Sequence, residues 1–305
     1  MKHIYGPVPS RRLGLSLGVS PIPKKTCNYS CIYCQLGRTN HMTNTRKMFY
    51  KVKDIINEFK AILNKNIQFD VITIVGEGEP TLYLGLGDLI KEIKKLSMKP
   101  VAVITNGALL YEKQVRNELA IADIVLPTLD AYDEISFKKI NRPYGSITYD
   151  KIINGIQRFS SQYKGYLWLE MMFMKDINDD ESSISKYKSI LNSIKYDRLY
   201  LNTPVRPPAE KNVSAVTTET MSYIQNELGG ISIDLLDSEG FYSDIPGHQE
   251  AILSIIKRHP MNQFEIRSFL KTRNCEHIEE EMKELNTNKK IEIIKYKGYN
   301  TYRLK

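Results

Sequence analysis

No run of about 18 apolar residues occurs in this 305-residue chain, which excludes a transmembrane helix. The stretch from Met1 to Pro23 lacks the unbroken apolar segment of a secretory signal, and Arg11 and Arg12 stand in its middle among Gly and Pro. Cysteine is scarce, four residues in all, and Cys27, Cys31 and Cys34 lie close together. Such clustering argues against a disulfide framework; in a cytoplasmic chain, the compartment expected here, it points to metal or redox chemistry. There is no internal repeat and no low-complexity segment. What is present is the composition of a soluble globular protein, 42% hydrophobic and 26% charged. The 43 Lys and Arg exceed the 35 Asp and Glu by eight. That excess permits an anionic partner without requiring one.

Short β-branched runs alternate with helical patterns along most of the chain. The runs are Leu13–Val19, Val71–Val75, Val101–Ile104, Ile124–Leu126, Leu167–Phe173, Arg198–Leu201 and Ile231–Leu235. Between them apolar residues recur at helical spacing. Ile55, Ile56, Phe59, Ile62 and Leu63 share one face, and Leu86, Leu89, Ile90, Ile93 and Leu96 another. Similar faces begin at Tyr149, Ile184 and Met221. Repeated βα units predict an α/β fold whose parallel sheet is covered by helices, as an open sheet or a partly closed barrel. Chemistry is then expected just beyond the C-terminal ends of the strands.

Thr26 to Cys34 reads C-x3-C-x2-C, with Tyr33 before the last cysteine. Thiolates suit zinc or an iron–sulfur cluster. A closed structural zinc needs a fourth ligand, and His3 and His41 lie at no usual spacing. The motif resembles the signature of the radical S-adenosylmethionine (SAM) superfamily. That resemblance implies a partial (β/α)6 barrel and a [4Fe–4S] cluster held by Cys27, Cys31 and Cys34. The open iron would chelate S-adenosylmethionine, and its reductive cleavage would give a 5′-deoxyadenosyl radical that abstracts hydrogen from a substrate. It also implies a one-electron reductant such as flavodoxin or ferredoxin.

Further motifs follow the runs. Gly76-Glu77-Gly78-Glu79-Pro80 is similar to the superfamily's glycine-rich motif, with Glu77 where Gly is commoner, and implies binding of the methionine moiety. Small residues let the backbone approach a ligand, and a carboxylate can hold an ammonium. Thr105 and Asn106 precede Gly107 in a turn that meets the adenosyl part in that family. Thr128 and Asp130 would face the same mouth, though Asp130 could equally cap the helix at Glu134–Lys139. Glu170, alone in an apolar run, needs a partner; a ribose hydroxyl, the substrate, or a neighbouring strand would serve. Arg206, between Pro204 and Pro207, is assigned as a ligand for the carboxylate of the cofactor or for the substrate. The stretches Gly6–Gly14, Ile140–Pro143 and Asn202–Glu210 are similar to the iron–sulfur oxidoreductase branch that includes wyosine-tRNA-forming enzymes. Those enzymes carry a second cluster. Only Cys275 is left here, so a second three-cysteine cluster is excluded, and Cys275 reads as an ordinary residue at a helix start.

The βα rhythm stops near Pro246, which divides the chain into a barrel domain, 1–243, and a tail, 244–305. The tail shows helical patterns at Gln249–Arg258, Gln263–Lys271 and Cys275–Leu285, then alternating strands around Lys297–Gly298. This is the pattern of a winged-helix-like module. Its third helix carries Glu276, Glu279, Glu280, Glu281 and Glu284 against Lys283. Acidic residues facing phosphates are repelled, so DNA is an unfavoured partner. Arg11, Arg12, Lys24 and Lys25 flank the cysteine loop and favour an anionic substrate, RNA or a peptide. The alternative function is a zinc-stabilised winged-helix regulator that binds nucleic acid.

Overall fold

The computed structural model describes residues 2–233, 241–243 and 245–305. Its main sheet has eight strands. They are β1 (Ile4–Ser10), β2 (Gly14–Val19), β5 (Val71–Ile74), β6 (Val101–Thr105), β7 (Ile124–Pro127), β8 (Tyr166–Met172), β9 (Arg198–Asn202) and β10 (Ile231–Ser232), in that spatial order. A pair of two-residue strands, β3 (Thr26–Cys27) and β4 (His41–Met42), lies between β2 and β5 in the chain. β1 and β2 are antiparallel; every other pairing in the main sheet is parallel.

The helices α1 (Val52–Leu63), α2 (Leu86–Leu96), α3 (Lys113–Leu119), α4 (Glu134–Ile140), α5 (Tyr149–Gln162), α6 (Glu181–Leu191) and α7 (Thr218–Leu228) lie between the strands in the chain. Their apolar stripes are buried in one large core with the outward faces of the strands, as with Ile55 and Phe59 of α1 and Leu89 and Ile93 of α2.

The opposite faces form a second cluster. Leu13, Val71, Ala102, Ile124, Leu126, Trp168, Tyr200 and Ile233 come from seven successive strands or their ends. In a flat sheet the outer members would stand nearly 30 Å apart, at about 4.8 Å per strand. Here Arg11, in the β1–β2 turn, donates from Nη1 to the carbonyl of Ile233 beyond β10 (3.3 Å). The sheet therefore curls until its two edges nearly meet, in the manner of a partial barrel.

All seven runs read from the sequence contain strands; Asp234 and Leu235, the end of the seventh, lie outside the described residues. β1 was not foreseen, because Pro7 and Pro9 hide it. Those prolines fit an edge strand, which pairs on one side only. α3 was also missed. Its buried face holds Val115 and Leu119 beside Arg116, whose guanidinium donates to the carbonyls of Leu110 and Tyr111. Asp130 does not cap α4: Asp133 does, in a capping box with Ser136.

The tail comprises α8 (His248–Ile256), α9 (Gln263–Thr272) and α10 (Ile278–Thr287), with a three-stranded sheet of β11 (Met261–Asn262), β13 (Tyr299–Leu304) and β12 (Ile291–Tyr296). Lys297 and Gly298 turn the hairpin with positive φ, 50° and 85°. β11 was unforeseen, being only two residues long. Cys275 is not at a helix start but in the loop before α10, whose N-cap is His277. The expected boundary falls at residue 244, outside the described residues. The tail's core includes Ile252, Ile256, Phe269 and Leu285, and it reaches Tyr5 and Val8 of β1. The tail is thus packed on the barrel.

Candidate functional site

At the C-terminal mouth of the barrel lies a cavity of about 410 Å³. Cys27, Cys31 and Cys34 line it, together with every other site residue read from the sequence except Asp130. Tyr33, the 76–80 loop, Thr105, Asn106, Thr128, Glu170 and Arg206 are thus brought to one place from six separate parts of the chain.

The cysteine loop is built largely on backbone hydrogen bonds. Ser30 N donates to Asn141 O (3.0 Å) and Ile32 N to Ile140 O (3.0 Å), while Tyr144 N donates to Asn28 O (2.8 Å). The stretch after α4 therefore serves as a platform for the cysteines. Three amide groups point at sulfur: Tyr29 N (3.4 Å) and Asn106 Nδ2 (3.6 Å) at Cys27 Sγ, and Asn141 Nδ2 (3.5 Å) at Cys31 Sγ. Such N–H groups are the outer support that thiolate ligands use. Burial pushes all three thiols above their ordinary range; beside Cys27 the Glu79 carboxylate adds to the effect. Holding them as thiolates calls for a strong positive centre.

The three residues form an all-sulfur donor set, the soft ligand chemistry that suits an iron–sulfur cluster.

The glycine-rich loop packs directly on the cysteine loop. Glu79 N donates to Thr26 O (3.0 Å). A Cβ on Gly78 would stand 1.8 Å from that same Thr26 oxygen, so only glycine fits. Glu79 is 3% exposed. Its Oε1 accepts from Thr81 N (2.9 Å), Thr81 Oγ1 (2.6 Å) and Thr105 Oγ1 (2.6 Å), and its Oε2 from Asn106 N (2.8 Å). Four donors match the four acceptor sites of a carboxylate. Glu79 thereby clasps the end of β5 to the end of β6, and it presents Asn106 to Cys27 and to Asn28, whose Oδ1 accepts from Asn106 Nδ2 (2.7 Å).

Asp130 lies just behind the cavity wall, 3% exposed. It accepts from the Tyr33 hydroxyl, from Asn141 Nδ2 (3.0 Å) and from Met172 N (3.0 Å). Burial raises its carboxyl to about 6 despite these donors. It fastens the aromatic of the cysteine motif to the platform.

Two of these residues are paired within the protein. Glu170 is paired with Arg12 of the β1–β2 turn, and Asn202 Nδ2 donates to its other oxygen (3.0 Å). These partners include a residue of the neighbouring strand β9, the last of the three alternatives read from the sequence. Arg206 is turned toward the tail, where its fork donates to both oxygens of Glu265 (2.9 Å each) and its Nη2 meets His259 Nε2 (2.7 Å). The anion it holds is a side chain of α9. Burial pushes the Glu265 carboxyl up, but the Arg206 charge and hydrogen bonds outweigh it and bring the group down to about 2.

The tail also reaches Glu77. Lys257 Nζ (3.3 Å) and Arg258 Nε (3.5 Å) both approach Glu77 Oε2. The unusual acid in the glycine-rich loop is therefore balanced by the end of α8. Sequence reasoning overlooked Asn28, Asn141 as a sulfur partner, and the tail residues Glu265, Lys257 and Arg258. Asn141 lay within a stretch already singled out; nothing in the sequence tied the tail to the mouth.

No described helix is long and apolar enough to cross a membrane. Residues 22–185 match the family model for the radical SAM superfamily. A UPF0026 protein of Methanocaldococcus jannaschii is 37% identical over 284 residues, covering 90% of this chain and 88% of that relative. A protein named GTPase Obg from Brachyspira hyodysenteriae is 45% identical over 220 residues, 72% of this chain. The match spans only 32% of that longer relative. Among solved structures, a radical SAM methyltransferase from Sphaerobacter thermophilus superposes with a TM-score of 0.55 at 14% identity, covering 72% of this chain and 67% of that one. That likeness is one of fold. The chain belongs to the radical SAM superfamily and, within it, to the family of the UPF0026 proteins.

Proposed function

We propose that this chain is a radical SAM enzyme whose Cys27, Cys31 and Cys34 hold a [4Fe–4S] cluster beside S-adenosylmethionine in the barrel mouth. When bound, the two would supply one-electron chemistry, reductive cleavage of the sulfonium to a radical able to take a hydrogen atom from a substrate. The observation that carries this reading is the set of three cysteine sulfurs, with amide groups donating to those of Cys27 and Cys31, facing the 76–80 loop across a single cavity.

The protein's own residues orient and enclose. Asn106 and Asn141 support the sulfurs, and Tyr33 is fixed by Asp130. Gly76 and Gly78 let the 76–80 loop, assigned to the methionine moiety, pack against Ser20, Ile22 and Thr26. Thr105, Asn106 and Thr128 line the side assigned to the adenosyl group. Glu79 sets the position of these groups, and Glu170 contributes to the wall through its pair with Arg12. The tail, read as a winged-helix-like module beyond a barrel of residues 1–243, covers one side of the mouth and keeps water out.

The substrate is read as anionic, RNA or a peptide, because Lys25 and Arg11 line the cavity. The electron is assigned to a cytoplasmic flavodoxin or ferredoxin. The zinc-regulator alternative needs the cysteine sulfurs to converge on one ion, and no observation favours it.

Anaerobic reconstitution is expected to give an iron–sulfur chromophore and, with dithionite and S-adenosylmethionine, 5′-deoxyadenosine. Release of 5′-deoxyadenosine by a Cys27→Ala, Cys31→Ala, Cys34→Ala variant would falsify the assignment. Mass spectrometry of bulk tRNA from a deletion strain separates the substrate classes. A missing modification supports RNA, and an unchanged pattern removes it.

A further inference from the structure

Outside the mouth, one cluster of ligand-type side chains stands in the tail. We infer that His248, Cys275 and Glu281 form a second metal site, for a single zinc ion, that staples the tail together. One ligand atom from each lies within 4.8 Å of the other two. The three residues sit on different pieces of chain: the first turn of α8, the α9–α10 loop, and α10. All three are partly buried.

The donor set is chemically distinctive. A thiolate, an imidazole and a carboxylate together match zinc, which accepts sulfur, nitrogen and oxygen at about 2.0–2.3 Å. A tetrahedral ion separates such donors by roughly 3.3–3.7 Å. Closure therefore asks for side-chain movement of about 1.5 Å at most.

Two further observations concern the same residues and their neighbour. His248 Nδ1 is buried and has no hydrogen-bond partner among the described residues, and the same holds for Gln249 Oε1. Each is a group that water would ordinarily satisfy and that burial leaves costly. The amide nitrogen of Gln249 meanwhile donates to Glu281 O (3.0 Å) and to the Glu281 carboxylate. The Gln249 side chain thus lies against the cluster.

The surrounding structure is already braced. Arg273, two residues before Cys275, donates to the carbonyls of Ser243 (2.6 Å), Ile245 (2.6 Å) and Pro246 (3.0 Å). That clamp fixes the segment leading to His248 against the loop carrying Cys275. An ion would tie both to α10. A unit of some 60 residues with a small core is the size class in which a structural metal contributes most.

The site is tested on the full chain carrying Cys27→Ala, Cys31→Ala and Cys34→Ala, which removes the mouth thiolates. Titration with Co²⁺ is expected to saturate at one ion per chain with a thiolate-to-cobalt charge-transfer band, displaced by Zn²⁺. Adding Cys275→Ser should abolish the band, and His248→Gln should weaken zinc binding by about tenfold or more. If the triple variant fails to fold, zinc and iron are counted separately on the reconstituted wild-type chain. Zinc should then fall from one per chain to none in Cys275→Ser, with iron unchanged. Absence of the band and of retained zinc, or binding indifferent to both Cys275→Ser and His248→Gln, overturns the site. Because neither measurement uses turnover, failure here leaves the reading of the mouth intact.

Discussion

Two residues set the geometry of the mouth in different ways. Gly78 is required by contact: its missing Cβ is the space that Thr26 O occupies. Gly78→Ala must push the 76–80 loop and the cysteine loop apart. Overpacking of this kind costs about 1–3 kcal/mol. The expected result is a lower melting temperature together with a reduced iron content after reconstitution. Asp130 acts through charge. Its carboxyl is raised by burial to about 6, from an unfolded value near 4. The folded state therefore binds the proton more tightly, and this contribution to stability is present below about pH 4 and lost as pH rises through 6. Asp130→Asn, which keeps the shape and stays neutral, is expected to flatten that part of the stability profile in the cluster-free protein. Urea unfolding between pH 4 and 7 measures it; an unchanged slope would refute the assignment.

At the scale of elements, the contact between the loop after β9 and α9 is the one most sensitive to a single change. Arg206→Ala leaves Glu265 buried beside His259 without its cation. Removing one partner of such a pair costs about 3–5 kcal/mol. Replacing both with Met should recover much of the loss, because neither charge is then left alone. Denaturant unfolding of the single and double variants gives the comparison.

The same contact marks a limit of legibility. The runs at Val71, Val101, Ile124 and Leu167 announced their strands, because parallel strands buried on both faces read as continuous apolar stretches. The cysteine motif and the 76–80 loop were legible because their chemistry lies in local spacing. Arg206 was legible as an anion ligand, but not which anion. Glu265 is far along the chain, inside a helix whose N-terminus it also completes through its capping box with Asn262. A carboxylate with a sufficient local role gives no sign of a distant one. The choice at Asp130 was open for the same reason: Asp133 is nearer to α4 and caps it, and only the three-dimensional fold shows Asp130 turned back to Tyr33 and Asn141.

For the whole molecule, barrel and tail behave as one folded object. The tail's core continues into Tyr5 and Val8 of β1, and its polar contacts land on Glu77, Arg206, the Pro204 carbonyl and the Gln35 carbonyl. A chain ending before α8 would expose the apolar face of β1 and leave Glu77 without Lys257 and Arg258. The expected outcome is aggregation, or a soluble barrel that loads iron poorly. Normal solubility and iron content in a chain ending at 245 would show the tail to be dispensable.

The platform beneath the cysteines has a consequence for how the sequence can change over time. The bonds from Ser30, Ile32 and Tyr144 that shape the loop are made by main-chain atoms at both ends. A substitution at Ser30 or Ile32 alters a side chain but leaves these donors in place. These main-chain bonds are thereby insulated from the choice of side chain at Ser30, whereas Asn28 and Tyr33 hold the loop through their side chains and are not free to drift. Proline is the exception, since it would delete the donor itself.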